Sequence, residues 1–113
     1  HQFGKPIGSF QALKHGLAES HTLTHMATNA VWYAADALDQ DRPDRQRAVS
    51  VAKAAAGDAA RMATAQMVQF HGGVGFTWEH DAHLFFKRAV WADLLFGDSA
   101  EHREHLVSRA EAM

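Results

Sequence analysis

Apolar residues recur at three- and four-residue steps through the first third of the chain, which is the spacing of one face of an α-helix. Pro6 and Gly8 oppose a helix before this stretch, and Ser9 can accept a hydrogen bond from the free N–H groups of a helix that follows it. The pattern predicts a first helix from about Phe10 to the polar residues 39–44. Its apolar stripe consists of Phe10, Leu13, Leu17, Thr24, Ala27, Val31, Ala34 and Leu38.

A second helix is predicted from about Asp44 to His71. Pro43 stops the first helix, and Asp44 is a suitable N-cap for the next one. Alanine has the highest helix propensity, and small side chains let neighbouring helices approach closely. Gly72 and Gly73 can then supply the positive backbone angles that end a helix. The small-residue side of this helix consists of Ala48, Ala52, Ala55, Ala56, Ala59, Ala63 and Gln66.

A third apolar run follows the glycine-rich loop at residues 72–78 and extends to Gly97, after which Asp98 or Ser99 can cap a short fourth helix. No useful length of strand-like alternation occurs. We therefore predict an all-α fold, a single domain over residues 1–113 arranged as an antiparallel up-and-down four-helix bundle. The apolar face of the third helix is predicted to contain Leu84, Phe85, Ala89, Trp91, Ala92 and Leu95, and that of the fourth Leu106, Val107 and Ala110.

Composition excludes several classes of function. Eleven basic and thirteen acidic residues give a net charge of -2 with no basic stripe, so nucleic-acid binding has no electrostatic support. No apolar run reaches the roughly 20 residues that cross a bilayer. The chain has no cysteine, which excludes disulfides and thiolate nucleophiles, and a cytoplasmic location is expected. Because the chain begins at His1 rather than at methionine, we expect a piece of a longer protein.

Two clusters of titratable residues are candidates for chemistry. His21 and His25 lie at i, i+4 on one helix face, but a di-iron or di-manganese bundle needs Glu-x-x-His units, and no glutamate of this chain has a histidine three residues on. We therefore predict no metal site. The segment Glu79-His80-Asp81 with His83 resembles an acid/base cluster, although acidic residues at a helix start are equally explained by the helix dipole.

The glycines at positions 72, 73 and 75 admit two interpretations. They can be a plain helix stop, since no strand precedes them as a dinucleotide fingerprint requires. They can also let the backbone approach an anion such as a pyrophosphate, with the following helix N-terminus adding favourable partial charge.

Three segments in register resemble one known family. QFGKPIGSFQALKHGLAE, AKAAAGDAA and QFHGGVGFTWEHDAHLFFKRA are similar, in this order and spacing, to the C-terminal domain of the acyl-CoA dehydrogenases. The resemblance implies FAD as cofactor and the α,β-dehydrogenation of an acyl-CoA thioester, in which a carboxylate removes the α-proton and the flavin accepts a hydride. It also implies oligomers, a dimer of dimers in which this domain closes over the FAD of a neighbouring subunit.

The resemblance assigns ten residues to the cofactor. It places Gln2 and Phe3 near the flavin and its pyrophosphate, and Gln11 as an amide that contacts the cofactor. Five residues are placed against the adenosine diphosphate of a partner's FAD: Gln69, Phe70, His71, Gly72 and Gly73. The last two, Asp98 and Ser99, are placed near the adenine.

The catalytic base is not identified in this chain. The segment in which the family commonly carries a glutamate aligns so that Phe96 stands in its place, and Asp98 or Glu101 can substitute only if the backbone is shifted. The base then lies outside the chain or on a different subunit. We predict the C-terminal domain of an acyl-CoA dehydrogenase, inactive in isolation. The alternative is a non-catalytic interaction module or the silent subunit of a hetero-oligomeric dehydrogenase.

Overall fold

A computed structural model describes Gly4, residues 11–71 and residues 76–112, with the side chains of residues 71, 76–80 and 111–112 outside the description. The described part is all-helical and contains no strand, which confirms the predicted fold class. Its four helices are α1 (Gln11–Asp39), α2 (Arg45–His71), α3 (Phe76–Leu94) and α4 (Ser99–Ala112).

The boundaries of the first two helices agree with the sequence prediction to within a residue or two, whereas α3 begins at Phe76, inside the segment expected to be loop. Asp81 therefore lies in the second turn of α3 rather than at its start. The predicted stripe residue Phe10 and the predicted stop residues Gly72 and Gly73 lie outside the described residues.

The turn between α1 and α2 closes with a hydrogen-bond pattern that ends many helices. The Arg42 N–H donates to the carbonyl of Ala37 at 2.9 Å, the Asp41 N–H donates to the carbonyl of Leu38 at 3.2 Å, and Asp41 has a φ of 50°. This is a Schellman motif with aspartate at the left-handed position that glycine usually occupies. Pro43 follows the motif, so the helix has already ended when the proline is reached.

Asp44 occupies the N-cap position of α2, as predicted, but its carboxylate binds other groups. One oxygen accepts a hydrogen bond from the Tyr33 hydroxyl at 2.5 Å, and the other lies 3.5 Å from the Arg42 guanidinium. The hydrogen bond from Tyr33, with the charge of Arg42, lowers the pKa of Asp44 against the opposing effect of desolvation. The same hydrogen bond raises the pKa of Tyr33, because it favours the protonated phenol.

The core is built from alanine. Every buried apolar residue in the described part of the chain is an alanine, and no large side chain there is fully buried. The central cluster joins α1 to α2 through Ala34, Ala37, Ala48 and Ala52. Alanine at these positions lets the two helix backbones lie close together, which confirms the interpretation of α2 as a small-residue helix.

The buried face of α1 differs from the predicted stripe. Ala27 and Ala34 are buried as expected, but Leu17, Val31 and Leu38 are about half exposed. The face against α2 instead passes through Ala27, Ala34 and Ala37. The stripe was wrong because α1 carries apolar residues on more than one side, and periodicity alone does not tell which side meets an alanine-rich neighbour.

The face of α3 differs in the same way. Ala82, Ala89 and Asp93 are its buried residues, while a larger set predicted to be buried is exposed: Leu84, Phe85, Trp91, Ala92 and Leu95. A helix that is apolar on all sides gives no reliable direction from its sequence pattern. On α4, Leu106 is half-buried, and Val107 and Ala110 are exposed.

α2 is the helix against which all the others pack. It has extensive contacts with α1 on one side and with α3 and α4 on the other. The closed up-and-down arrangement stays a prediction.

Among the described residues, no helix combines the length and the apolar character needed to cross a membrane.

Replacement of the most enclosed alanine tests the close approach of α1 and α2. Ala37 has no exposed surface, so we expect Ala37→Leu to lower the free energy of unfolding by about 2 kcal/mol through overpacking. Ala35→Leu, on the exposed side of the same helix, is the matched control and is expected to be nearly neutral. Equal effects of the two changes in urea denaturation would contradict this packing.

Candidate functional site

The predicted cofactor residues fall into two separate groups. Gln11 lies at the first residue of α1, and Gln69, Phe70 and His71 are the last three residues of α2. These four form the first group, at one shared end of the α1–α2 pair. Gln2, Phe3, Gly72 and Gly73 lie outside the described residues.

Two contacts fix the shared end of α1 and α2. A Cβ added to Gly16 would lie 3.0 Å from the Phe70 ring, so the absence of a side chain at Gly16 admits that ring against the backbone of α1. One turn further along, the Ser20 hydroxyl donates a hydrogen bond to the side-chain carbonyl of Gln66. The last turn of α2 is therefore held against α1, with Phe70 half-buried between them.

The two amides of this group remain on the surface. Gln11 and Gln69 are both exposed, and the Gln11 amide lies 2.8 Å from a ring nitrogen of His15. An amide side chain both donates and accepts hydrogen bonds, so this end of the antiparallel α1–α2 pair, the α1–α2 hairpin, can bind the polar atoms of a nucleotide.

Asp98 and Ser99 form the second group, at a different part of the chain. Ser99 lies against Gly57, twelve residues before Gln69, which at ~1.5 Å per residue places the two groups about 18 Å apart along α2. The structure therefore does not bring all the predicted cofactor residues together within one chain.

Asp98 caps α4, as the sequence predicted. Its carboxylate accepts a hydrogen bond from the Glu101 N–H at 2.8 Å, and its carbonyl accepts one from the His102 N–H. Ser99 is buried, and its hydroxyl donates to the carboxylate of Asp93 at 2.7 Å. The donor of the Ser99 hydroxyl is therefore used within the chain, and its predicted place near the adenine stays a prediction. Glu101 is exposed.

The Asp93 carboxylate is the centre of a buried polar cluster. Asp93 is only 2% exposed, and two cations from α2 lie beside it: Arg61 at 3.1 Å from one oxygen and Lys53 at 3.9 Å from the other. The second oxygen also accepts hydrogen bonds from the Ser99 hydroxyl and N–H. The cluster therefore joins three helices through one carboxylate.

Burial and bonding act in opposite directions on this acid. Desolvation alone would raise the pKa of Asp93, but hydrogen bonds from Ser99 and Arg61 and the charges of both cations lower it below the usual value. Asp93 is therefore ionised at neutral pH. No buried side-chain nitrogen or oxygen in the described residues lacks a hydrogen-bond partner.

Gly57 makes room for the cluster. A Cβ at this position would overlap both the Asp93 carboxylate and the Ser99 hydroxyl. Sequence inspection did not single out the cluster, because Gly57 stands in an alanine-rich run and Asp93 in an apolar one. The sequence feature that could have identified the cluster is the position of Asp93, a carboxylate four residues after Ala89 and therefore on the same, buried face of α3.

The turn between α3 and α4, residues 95–98, contains two left-handed residues. Phe96 has a φ of 59° and is 92% exposed, and Gly97 has a φ of 92°. The His102 ring is 2.9 Å from the Phe96 carbonyl through Nε2 and 3.2 Å from the Ser50 hydroxyl through Nδ1. A second set of contacts thus joins this turn to α2.

The other clusters noted in the sequence gain little support. The rings of His21 and His25 are stacked with centroids 6.4 Å apart, and within the described residues no three potential metal-binding side chains come together. Asp81 and His83 are exposed on α3, and the side chains of Glu79 and His80 lie outside the description.

Comparison with known proteins identifies the family. The family model described as "Acyl-CoA dehydrogenase, C-terminal domain" matches residues 1–111. The chain belongs to the acyl-CoA dehydrogenase family. This confirms the resemblance carried by the three sequence segments.

The relatives agree with the family model. Acyl-CoA dehydrogenase IpdE2 of Mycobacterium tuberculosis is 49% identical over 78% of this chain and 26% of its own length. Acyl-CoA dehydrogenase FadE34 of the same organism is 46% identical over 98% of this chain and 16% of its own length. The mitochondrial short/branched chain specific acyl-CoA dehydrogenase of Rattus norvegicus is 34% identical over 87% of this chain and 22% of its own length.

The chain thus spans about a quarter or less of the length of these acyl-CoA dehydrogenases. No solved structure gives a significant match to it.

The ionised Asp93 makes stability depend on pH. Because its pKa is lowered in the folded state, its contribution is present above the ordinary aspartate value of ~3.9 and is lost as the pH falls below that value. We expect Asp93→Asn to lower the free energy of unfolding by about 2 kcal/mol at pH 7. The difference in the free energy of unfolding between Asp93→Asn and the unsubstituted chain should become smaller toward pH 3.

Denaturant unfolding at a series of pH values measures this gap. Asp39→Asn, at an exposed carboxylate, is the control and should show a small difference at every pH. A gap for Asp93→Asn that is the same at pH 7 and pH 3 would show that the charge of Asp93 does not stabilise the fold.

Proposed function

We propose that this chain is the C-terminal helical domain of a larger FAD-dependent acyl-CoA dehydrogenase, in which it completes the FAD site of a neighbouring subunit and part of the oligomer interface. Membership of the family over residues 1–111 supports the reaction class. When bound, FAD would accept the hydride from the β-carbon of the acyl-CoA substrate. The domain's own part is to bind and orient the cofactor.

The observation that carries the proposal is the pair of exposed amides at one end of the α1–α2 hairpin. Gln69 stands on the last turn of α2, and that turn is fixed by the ring of Phe70 against Gly16. A preorganised donor and acceptor at a helix end can bind a nucleotide with little loss of conformational freedom. Gln11 adds a second exposed amide at the same end.

The exposed apolar surface supports the proposed interface. Trp32 is 72% exposed, Phe85 61% and Leu94 62%, although these are side chains that proteins normally cover. Exposed apolar side chains of this size often mark surface that meets another domain or subunit. We therefore propose that the outer faces of α1 and α3 pack against other parts of the assembled enzyme, which operates in the cytoplasm on an acyl-CoA substrate.

Replacement of one amide in the full-length protein tests the cofactor role. We expect Gln69→Ala to weaken FAD binding about five- to tenfold, the effect of one or two lost hydrogen bonds at ~0.5–1.5 kcal/mol each. The measurement is titration of flavin-depleted protein with FAD, followed by flavin fluorescence.

The control for this experiment is Gln46→Ala, an exposed glutamine at the opposite end of α2. It should leave FAD affinity unchanged. Unaltered affinity in Gln69→Ala, or an equal loss in both variants, would remove the support for a cofactor site at this end of the hairpin.

A second candidate function is the silent subunit of a hetero-oligomeric dehydrogenase. The observation that favours it is Phe96, an exposed phenylalanine at the position where the family resemblance places a catalytic glutamate. A phenyl ring cannot accept a proton, so a subunit of this type needs the base from elsewhere.

Purification with and without a partner separates the two candidates. If this subunit is silent, the full-length protein alone should bind FAD yet not reduce it with any acyl-CoA, and activity should appear on addition of a second dehydrogenase subunit encoded nearby. Flavin reduction by acyl-CoA in the protein alone would rule out the silent subunit.

A further inference from the structure

We propose that Asp93 is a positioning residue for the cofactor site: its buried carboxylate fixes the turn at residues 95–98 and thereby sets where Asp98 lies relative to the adenine side of FAD. This inference rests on the proposed function, since it needs the second group, Asp98 and Ser99, to lie near FAD.

The first step is the attachment of α3 to α2. Lys53 donates to the main-chain carbonyls of Ala92 at 3.3 Å and Asp93 at 2.7 Å, which lie in the last turn of α3 where helix carbonyls lack partners. Arg61 binds the Asp93 side chain at 3.1 Å, two turns further along α2. Two basic side chains of α2 therefore bind the C-terminal end of α3.

The second step is the attachment of α4. Its first residue, Ser99, donates both its N–H and its hydroxyl to Asp93 Oδ1, at 3.2 and 2.7 Å. The negative charge also lies at a helix N-terminus, where the helix dipole favours it. One carboxylate thus fixes both helices that flank the turn.

The third step concerns the turn itself. Phe96 adopts a left-handed conformation that is unfavourable for a bulky residue, and it persists only because surrounding contacts impose it. His102 holds the Phe96 carbonyl from one side, while Asp93 holds Ser99 from the other. Asp98 lies between these two contacts, so its position depends on both.

The chemistry at Asp93 argues for a role in addition to its contribution to stability. The rest of the α2 interface is packed with alanine, and apolar residues that replace a buried ion pair are often neutral or stabilising. A carboxylate bound by Lys53, Arg61 and Ser99 instead specifies one geometry. The cluster therefore fixes the geometry of the turn at residues 95–98.

The test uses the full-length protein and the variant Asp93→Asn, which keeps the shape but removes the charge and turns a donor toward Arg61. We expect FAD affinity to fall at least fivefold and the visible circular dichroism of bound flavin to change, at a temperature well below unfolding. Amide hydrogen exchange of residues 95–101 should accelerate.

A matched control separates positioning from general destabilisation. Ala37→Gly lowers stability in the α1–α2 core away from the turn, and it should lower the melting temperature while leaving FAD affinity and the flavin spectrum unchanged. If Asp93→Asn does not fold, Lys53→Met removes one cation only and should change affinity and spectrum in the same direction to a smaller extent.

The outcomes distinguish the two proposals. If Gln69→Ala weakens FAD binding but Asp93→Asn and Lys53→Met change only the melting temperature, as Ala37→Gly does, the positioning role of Asp93 is wrong and the proposed function stands. If the full-length protein binds no FAD, the proposed function fails and this inference fails with it. If Gln69→Ala binds FAD normally, the support for a cofactor site at the end of α2 is lost, and the Asp93→Asn variant still decides the positioning role.

Discussion

The helices of this chain approach α2 closely because the residues of α2 at the centre of the contacts are small. Ala48 and Ala52 face α1, and Gly57 faces the junction of α3 and α4. At Gly57 even a methyl group would overlap two polar side chains. The position of Asp98 and Ser99 depends on this property, because Ser99 lies against Gly57. At the C-terminal end of α2 the small residue is Gly16 of α1, which makes room for the Phe70 ring.

An alanine core has a second consequence. Since alanine buries little apolar area, the described residues leave their large apolar side chains outside, and the stability from burial within the chain is correspondingly modest. In the proposed enzyme, the exposed faces of α1 and α3 would be surfaces for its other parts rather than a defect of packing. This agrees with family membership, in which the chain corresponds to about a quarter or less of its relatives.

Helix ends and family were predictable from sequence, and packing faces were not. The polar segment before Pro43 and the break at Gly97 adjoin the ends of α1 and α3, so those boundaries followed from local rules, whereas the start of α3 did not. Which face of α3 is buried was not predictable, because leucine and phenylalanine lie on all sides of this helix. The residues that pack against α2 are instead its alanines, the smallest apolar residues of α3. The Asp93 cluster depends on residues 32 to 40 positions apart, which no local pattern reveals.

The predicted cofactor residues also show what sequence can and cannot tell. The glutamine at position 69 was assigned from a resemblance of three segments, and its exposure on a fixed helix end fits the assignment. Ser99 was assigned in the same way, yet its hydroxyl is bound to Asp93. A sequence motif identifies a segment, but which of its atoms can reach a ligand depends on contacts made elsewhere in the chain.

The central claim is that the C-terminal end of α2 contacts FAD in the assembled enzyme. Hydrogen exchange of the full-length protein, with and without FAD, tests it most directly. The account predicts slower exchange of the amides at residues 66–71 when FAD is bound, with no change near Gln46 at the other end of the helix. Unchanged exchange at residues 66–71 in protein saturated with flavin would contradict it.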